Sequence, residues 1–251
     1  MASETKKTKL PSFTTSKLTF VYPKLSEPDY GTKDYPKPDG EYSLKGRMSL
    51  EDAEEFIRKD VKFDNGFVSL KGLYDEALRD AERQFGELKV ESRKKLKEVQ
   101  PNDLFTVLYD PESEEPTGEV EFKFKMKASG EFKKGPKAGQ KWHRKPDLFD
   151  AKGRKIGKGV NIWGGTVGKV AFSVRPYFVA GTAAAGLTLM LNGVQVIDLV
   201  SEGARSADSY GFGEEEGFGY DPDDYREDED TTSKDADGSD DNGTTAGEED
   251  F

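Results

Sequence analysis

The sequence contains no cysteine and only one histidine, His143. Without cysteine the chain can form neither a disulfide nor a thiolate metal site, and a single imidazole makes no multi-histidine metal site. Neither a G-x-S-x-G motif nor a Walker-type glycine loop occurs, so the common signatures of a nucleophile or a phosphate-binding loop are missing. We therefore expect a protein that is not an enzyme and that needs no metal or other cofactor.

Long apolar runs are lacking as well. The longest apolar stretch, around Phe178 to Leu191, is broken by glycine, threonine and asparagine, so no membrane span is expected. The first ten residues are polar and rich in lysine, unlike a secretory signal. These features predict a soluble protein that works in the cytoplasm.

Charge is distributed very unevenly along the chain. The formal net charge is −11, yet residues 119–185 hold 15 basic and 5 acidic residues, whereas residues 201–251 hold 19 acidic and three basic ones. A basic body joined to an acidic tail favours a regulated interaction with nucleic acid, the alternative being an ordinary solvated surface with a solubilising tail. From 227 to 247 no apolar side chain is larger than alanine, so we expect a folded domain over 1–204 and a disordered tail over 205–251.

Hydrophobic alternation predicts the fold of the folded part. In residues 119–127 every second residue is apolar, which is typical of a half-buried strand with one basic face. Residues 169–179 alternate in the same way, and the alternation from Leu187 onward changes phase at Gly193, which indicates a bulge. We expect a mainly β protein, with a five-stranded OB-fold barrel favoured and a β-sandwich as the alternative.

Helical patterns are expected as an insertion over about 49–100. Ser49 resembles an N-cap, and the first helix would bury an apolar stripe made by Phe56, Ile57, Val61 and Phe63. A second helical pattern covers 73–99. Before the insertion, Leu18 to Tyr22 is typical of a strand, and the prolines between 23 and 38 predict a loop.

The basic zone also carries aromatic residues, a combination that single-strand nucleic-acid binders use for phosphates and for stacked bases. The candidate nucleic-acid contacts are Lys123, Lys125, Lys127, Lys133, Lys134, Trp142, Arg144, Arg175 and Tyr177. The lysine row could equally be the solvent face of a strand. Trp163, which precedes two glycines, is at least as consistent with structural packing, and His143 is expected to be a surface residue.

Several segments in order resemble the podovirus-type phage single-stranded DNA-binding proteins. They are residues 28–31, 122–129, 150–155, 162–165 and 169–177, followed by the terminal Asp250-Phe251. The resemblance implies an OB fold with DNA bound across the barrel, a homodimer, and a role in DNA replication, recombination and repair in the cytoplasm of the infected bacterial host. It also implies DNA contacts at Lys125 and Tyr177. Asp39, Lys127 and the helical region depart from the family pattern.

The resemblance assigns two roles to the acidic tail: shielding the DNA-binding cleft when DNA is absent, and recruiting replication enzymes. We expect the residues that bind the phage DNA polymerase and helicase-primase to be Glu248, Glu249, Asp250 and Phe251. A terminal phenylalanine next to acids suits an apolar pocket with a basic rim. The alternative is an acidic chaperone or DNA mimic, in which the tail binds basic partners and the body merely folds.

Overall fold

A computed structural model of the chain describes residues 9–157 and 159–200. Its strands are β1 (Ser12–Thr14), β2 (Leu18–Gly31), β3 (Pro36–Ser49), β4 (Val61–Phe63), β5 (Gly66–Val68), β6 (Gln100–Pro101), β7 (Thr106–Tyr109), β8 (Pro116–Lys127), β9 (Ser129–Glu131), β10 (Lys141–His143), β11 (Asp147–Phe149), β12 (Val167–Val179) and β13 (Ala184–Asp198). Its helices are α1 (Leu50–Arg58), α2 (Leu70–Glu87) and α3 (Val90–Leu96). Within these ranges no helix is both long and apolar enough to cross a membrane.

Five of the strands close into a barrel in the order β2, β3, β8, β13 and β12. β12 pairs with both β13 and β2, which completes the ring. Most neighbours are antiparallel, but β8 and β13 meet in parallel where Lys125 lies opposite Met190. This closed five-stranded arrangement confirms the predicted OB-like barrel.

The barrel interior is filled by the apolar residues of the alternating strands. Phe20, Phe122, Phe124 and Phe172 are fully buried, and the ring centroids of Phe124 and Phe172 lie 5.0 Å apart. Burial of one such side chain stabilises the fold by roughly 1.5–3 kcal/mol. The apolar face of the 119–127 run therefore points inward as predicted, and its charged face points outward.

The helical insertion leaves and rejoins the barrel at one rung, because Ser49 and Glu119 are register partners in the β3–β8 ladder. Ser49 caps α1 as expected, since its hydroxyl accepts a hydrogen bond of 3.0 Å from the Asp52 backbone N–H. The Phe56 ring packs edge-on against Phe122 inside the barrel, with centroids 6.1 Å apart. The insertion thus supplies a plug for one end of the core.

One expectation about the insertion was wrong in detail. Val61 and Phe63 do not continue the stripe of α1; they lie in β4, which pairs with β5 across a tight turn at Asp64 and Asn65. Asp64 has a φ of +48°, a backbone state that aspartate tolerates in hairpin turns. The second helical pattern forms two helices, because α2 ends at Glu87 and α3 starts at Val90.

The proline-rich segment between 23 and 38 is not the loop that was predicted. β2 runs on to Gly31 and β3 begins at Pro36. The β2–β3 register shifts between Val21 and Gly31, and Pro23, Pro28 and Pro38 lie between the paired positions, where no backbone donor is required of them; Pro36, opposite Gly31, begins β3. At the far end of the barrel, the phase change near Gly193 is confirmed as a bulge in the β12–β13 ladder.

Candidate nucleic-acid interface

The outer face of β8 presents its lysines in a row. Lys123 lies opposite Lys45 on β3, Lys125 lies opposite Ser43, and Lys127 lies opposite Glu41. The middle of this face is a cavity of about 320 Å³, which we call the basic groove. The residues lining the basic groove are Tyr22, Lys37, Glu41, Ser43, Lys45, Lys123 and Lys125. Strand pairing therefore concentrates four lysines on one shallow surface.

Carboxylates on the same face neutralise much of this charge. The ion pairs are Lys127 with Asp39 (2.8 Å), Lys125 with Glu41 (3.6 Å), Lys45 with Glu121 (2.7 Å), and Lys37 with both Asp29 (2.7 Å) and Glu41 (2.9 Å). The hydrogen bonds to Asp29 and Glu41 raise the pKa of Lys37, which holds it charged. An incoming phosphate must compete with these carboxylates.

Lys123 differs from its neighbours, because it pairs with no carboxylate in the part of the chain that the structure describes. The charge of Lys125, followed by burial and the charge of Lys45, lowers the pKa of the Lys123 ammonium. Repulsion among cations of this kind is relieved when an anion binds between them. Lys123 is thus the one lysine lining the basic groove that has no carboxylate partner among the described residues.

A second basic region follows β8 and includes the β9–β10 hairpin. Trp142 on β10 lies across from Gly130 and packs against it, with room only because glycine has no side chain. The Arg144 guanidinium lies 4.3 Å from the centre of the Trp142 ring, a cation–π contact. Lys133 and Lys134, in the loop between the two strands, are exposed, as are Lys137, Lys141 and His143. The Trp142 ring is half-buried and one of its faces is occupied by Arg144.

Arg175 and Tyr177 lie on the outer face of β12. Burial and then the charge of Arg175 lower the pKa of Arg144, which links the hairpin region to this strand. The Tyr177 hydroxyl accepts a hydrogen bond of 2.7 Å from the Asn102 side chain. Its ring lies over Gly186, where an added Cβ would come within 3.2 Å of the phenolic oxygen. Tyr177 is therefore held flat on the barrel surface.

The strand register gives the relation between Lys125 and Tyr177. Lys125 lies opposite Met190 and Tyr177 lies opposite Gly186, so the two residues share one face of the sheet. Four residues of β13 separate the two rungs, which amounts to about 13 Å. Arg175 lies opposite Thr188, on the rung between them. The structure thus places these predicted contacts along one outer path without bringing them into direct contact.

Sequence reasoning missed the β2 and β3 side of the surface. Tyr22 is 77% exposed and lines the basic groove, although it had been assigned only to a strand. Its φ of +47° turns it out of the strand pattern, which no local sequence signal reveals. Lys45 could have been found, because residues 41–48 alternate between polar and buried side chains just as β8 does.

The predicted partner-binding residues and metal sites complete the description of the candidate ligand contacts. Glu248, Glu249, Asp250 and Phe251 lie outside the described residues. In the described ranges no group of three or more histidine, aspartate or glutamate side chains is arranged to hold a metal ion. The chemistry of the surface is therefore cationic and aromatic.

Comparisons with known proteins agree with this description. A family model described as single-stranded DNA-binding protein, bacteriophage T7, matches residues 18–199. The crystal structure of gp2.5, a single-stranded DNA-binding protein encoded by bacteriophage T7, aligns with a TM-score of 0.54 at 22% identity, covering 77% of this chain and 94% of that one. The single-stranded DNA-binding protein from bacteriophage Enc34 in complex with ssDNA aligns with a TM-score of 0.44 at 13% identity, covering 74% and 86%. No curated protein sequence matches the chain.

Proposed function

The chain belongs to the bacteriophage T7 single-stranded DNA-binding protein family, and from this premise we propose that it binds single-stranded DNA across the outer face of β2, β3 and β8. The observation that carries the proposal is the basic groove, where Lys45, Lys123 and Lys125 converge and Lys123 has no described carboxylate partner. Binding is to phosphates and ring faces and so has little sequence preference.

We place the rest of the DNA path along the outside of β13 and β12. From the basic groove the strand would pass Arg175 to reach Tyr177, with the hairpin region on its flank. The proposed contacts are Lys123, Lys125, Lys127, Lys133, Lys134, Trp142, Arg144, Arg175 and Tyr177. Lysines and arginines would neutralise phosphates, while Tyr177 offers the stacking face for a base.

A salt-dependent titration tests the location. K123Q/K125Q removes two charges from the basic groove, and K59Q/K62Q removes two charges from the exposed end of α1 and from β4 as the matched control. We expect the first variant to lose about tenfold in affinity for oligo-dT at low salt and the control to lose about twofold at most. Single-stranded DNA should bind more tightly than duplex of equal length. Equal losses in both variants would reject the proposed surface.

We further propose that the acidic tail competes with DNA for this surface. The support is the charge balance: residues 201–251 carry 19 acidic and three basic residues, while 119–185 carry 15 basic and 5 acidic. Removing residues 227–251 should tighten DNA binding, most visibly at low salt, where screening is weak. Equal affinity with and without these residues in low-salt titrations would reject the competition.

The end of the tail has a separate proposed role as a docking peptide for the phage DNA polymerase and helicase-primase. Phe251 would enter an apolar pocket while Glu248, Glu249 and Asp250 steer its approach to a basic rim. Deleting Phe251 alone should impair capture of these enzymes and leave DNA affinity almost unchanged, because only one uncharged side chain is lost. Undiminished capture would exclude the docking role.

These activities together support a role in phage DNA replication, recombination and repair in the cytoplasm of the infected bacterium. We also propose a homodimer, an expectation that comes from the family resemblance. Sedimentation equilibrium of the full chain tests it, since a dimer would have twice the chain mass of 27.9 kDa. A mass of one chain at every concentration would reject it.

A further inference from the structure

A cavity with aromatic walls lies beside the basic groove, between β2 and the loop before β12. Its volume is about 880 Å³, within the range of small-ligand pockets. Tyr22 and Trp163 both line it, together with Arg47 from β3. Tyr22 also lines the basic groove, so the two cavities share this side chain as a wall. We call this cavity the aromatic pocket.

Both rings are presented to solvent, and their backbones are fixed. Tyr22 is 77% exposed and Trp163 is 49% exposed, and the two rings line one cavity, so together they form an exposed aromatic patch. The Trp163 backbone N–H donates to the Val200 carbonyl at 2.9 Å, and the Gly165 N–H donates to the Phe20 carbonyl at 2.9 Å. The loop that carries Trp163 is thereby tied to β2, next to Tyr22. The pocket is built before any ligand arrives.

Arg47 provides a polar group at the same place. Its Nε is buried and has no hydrogen-bond acceptor in the described part of the chain. Its terminal nitrogen lies 3.8 Å from Glu119, a long ion pair that leaves donors available. The Arg47 side chain is 38% exposed, so its terminal nitrogens, not the buried Nε, are the donors that a ligand in the cavity can reach.

We propose that the aromatic pocket binds a nucleobase of the same DNA strand that occupies the basic groove, with Tyr22 and Trp163 as stacking surfaces and Arg47 as donor to the base or to its phosphate. The inference rests on the proposed function and extends it by a base-binding subsite at the β2 side of the barrel. Phosphate binding to Lys45 and Lys123 would hold the backbone within reach, because Tyr22 borders both cavities.

The first test is a loss-of-ring comparison in the full chain at low salt. Y22G removes one ring and suits the backbone, because glycine adopts a φ of +47° readily. Y109A removes an exposed ring from β7 and serves as the control. We expect Y22G to bind oligo-dT about fivefold or more weakly and Y109A to bind nearly as the unchanged chain. On an abasic oligomer of equal length the loss in Y22G should vanish, whereas a loss from disturbed folding would persist.

The second test observes the pocket directly. The chain has two tryptophans, so in W142F all indole emission comes from Trp163. Saturation with oligo-dT should quench this emission, because a stacked base quenches indole, and saturation with the abasic oligomer should not.

The possible outcomes distinguish a failure of the proposed DNA-binding function from a failure of the aromatic pocket alone. If the unchanged chain fails to bind oligo-dT, the proposed function itself is wrong. If it binds, but Trp163 emission stays unchanged at saturation and Y22G matches Y109A, only the aromatic pocket is overturned. An equal loss on abasic DNA would also overturn it, since it would assign Tyr22 a backbone-related role.

Discussion

The lysines on the outer face of β8 and the basic residues of the 132–145 segment carry the same charge in different surroundings. On β8, Lys125 and Lys127 each lie within 4 Å of a carboxylate on β3. Among the described residues, no carboxylate forms an ion pair with a basic residue of 132–145. An ion-paired lysine gives up one partner to gain a phosphate, so its net contribution to affinity is small.

The difference suggests a division of roles between the two regions. Residues on a paired β-ladder are fixed in position, so β8 is suited to set where the DNA backbone runs. Charges of the 132–145 segment are exposed and unpaired within the described residues, so they are suited to supply the salt-sensitive attraction.

Neutralising the 132–145 segment should have the largest effect. K133Q/K134Q/K137Q/K141Q removes four unpaired charges, and we expect about a hundredfold loss of affinity for oligo-dT at low salt. The slope of log affinity against log salt should become shallower by about 3, since each phosphate contact to a single strand contributes about 0.7. K89Q/K94Q/K95Q/K97Q removes the same charge from the region of α3. A similar loss in that control would mean that net charge matters and location does not.

Within β8, Lys123 should matter more than Lys127. K123Q removes a lysine with no described carboxylate partner, and a loss of about fivefold is expected. K127Q removes a lysine bound to Asp39 at 2.8 Å, and the loss should be about twofold at most. Both affinities can be measured by anisotropy of a labelled oligonucleotide. A loss of affinity in K127Q as large as that in K123Q would show that ion pairing with a carboxylate does not determine how much a lysine contributes to DNA affinity.

Removing a competing carboxylate should strengthen binding. Glu41 contacts both Lys37 and Lys125, so E41Q frees Lys125 and leaves Lys37 paired with Asp29 alone. We expect affinity for oligo-dT to rise by about threefold at low salt, with the gain disappearing at high salt. E51Q, on the exposed side of α1, changes net charge equally and should have almost no effect. An unchanged affinity in E41Q would mean that its carboxylate does not restrain the lysines.

The smallest effect concerns the dependence of folding stability on pH. The hydrogen bond from Lys37, followed by that from the Gly31 backbone, lowers the pKa of Asp29 below its ordinary 3.8. A carboxyl with a lowered pKa stabilises the fold above pH 3.8, and this contribution is lost as pH falls through the lowered value. D29N should therefore melt slightly below the unchanged chain at neutral pH, and the gap should close in acid. D34N is the control, and a gap that persists in acid would contradict the ion-pair origin.

Most of the fold could be predicted from the sequence, because the alternation that marks each strand involves residues that are neighbours in the chain. Alternation along β8 and the β12–β13 pair, with the phase change at Gly193, predicts the faces and the bulge from neighbouring residues alone. The β4–β5 hairpin was missed because Val61 and Phe63 also match a helical spacing. In a segment this short, the turn at Asp64 determines that the residues form a strand, and the spacing of the apolar residues does not.

The site was less accessible, because its electrostatics depend on which strands pair. Nothing near Lys127 in the sequence indicates that Asp39 neutralises it, since the two meet only through the β3–β8 register. Tyr22 likewise becomes a surface ring only because of its positive φ in an irregular part of the β2–β3 ladder. Sequence pattern identifies charged and aromatic faces, whereas tertiary pairing decides which of their members remain available to a ligand.

The common rung of Ser49 and Glu119 has a consequence for how this chain can change. The insertion begins after Ser49 and ends before Glu119, and these two residues face each other in the β3–β8 ladder. Residues can therefore be added to or removed from the outer parts of the insertion without changing the register of β3 against β8. Phe56 of α1 and Leu70 of α2 belong to the buried core, and the Phe105 ring packs against Phe122 with centroids 5.3 Å apart, so these parts of the insertion are tied to the barrel. Helix α3 contains no buried residue, so it is the part that can be lengthened, shortened or replaced without disturbing the core.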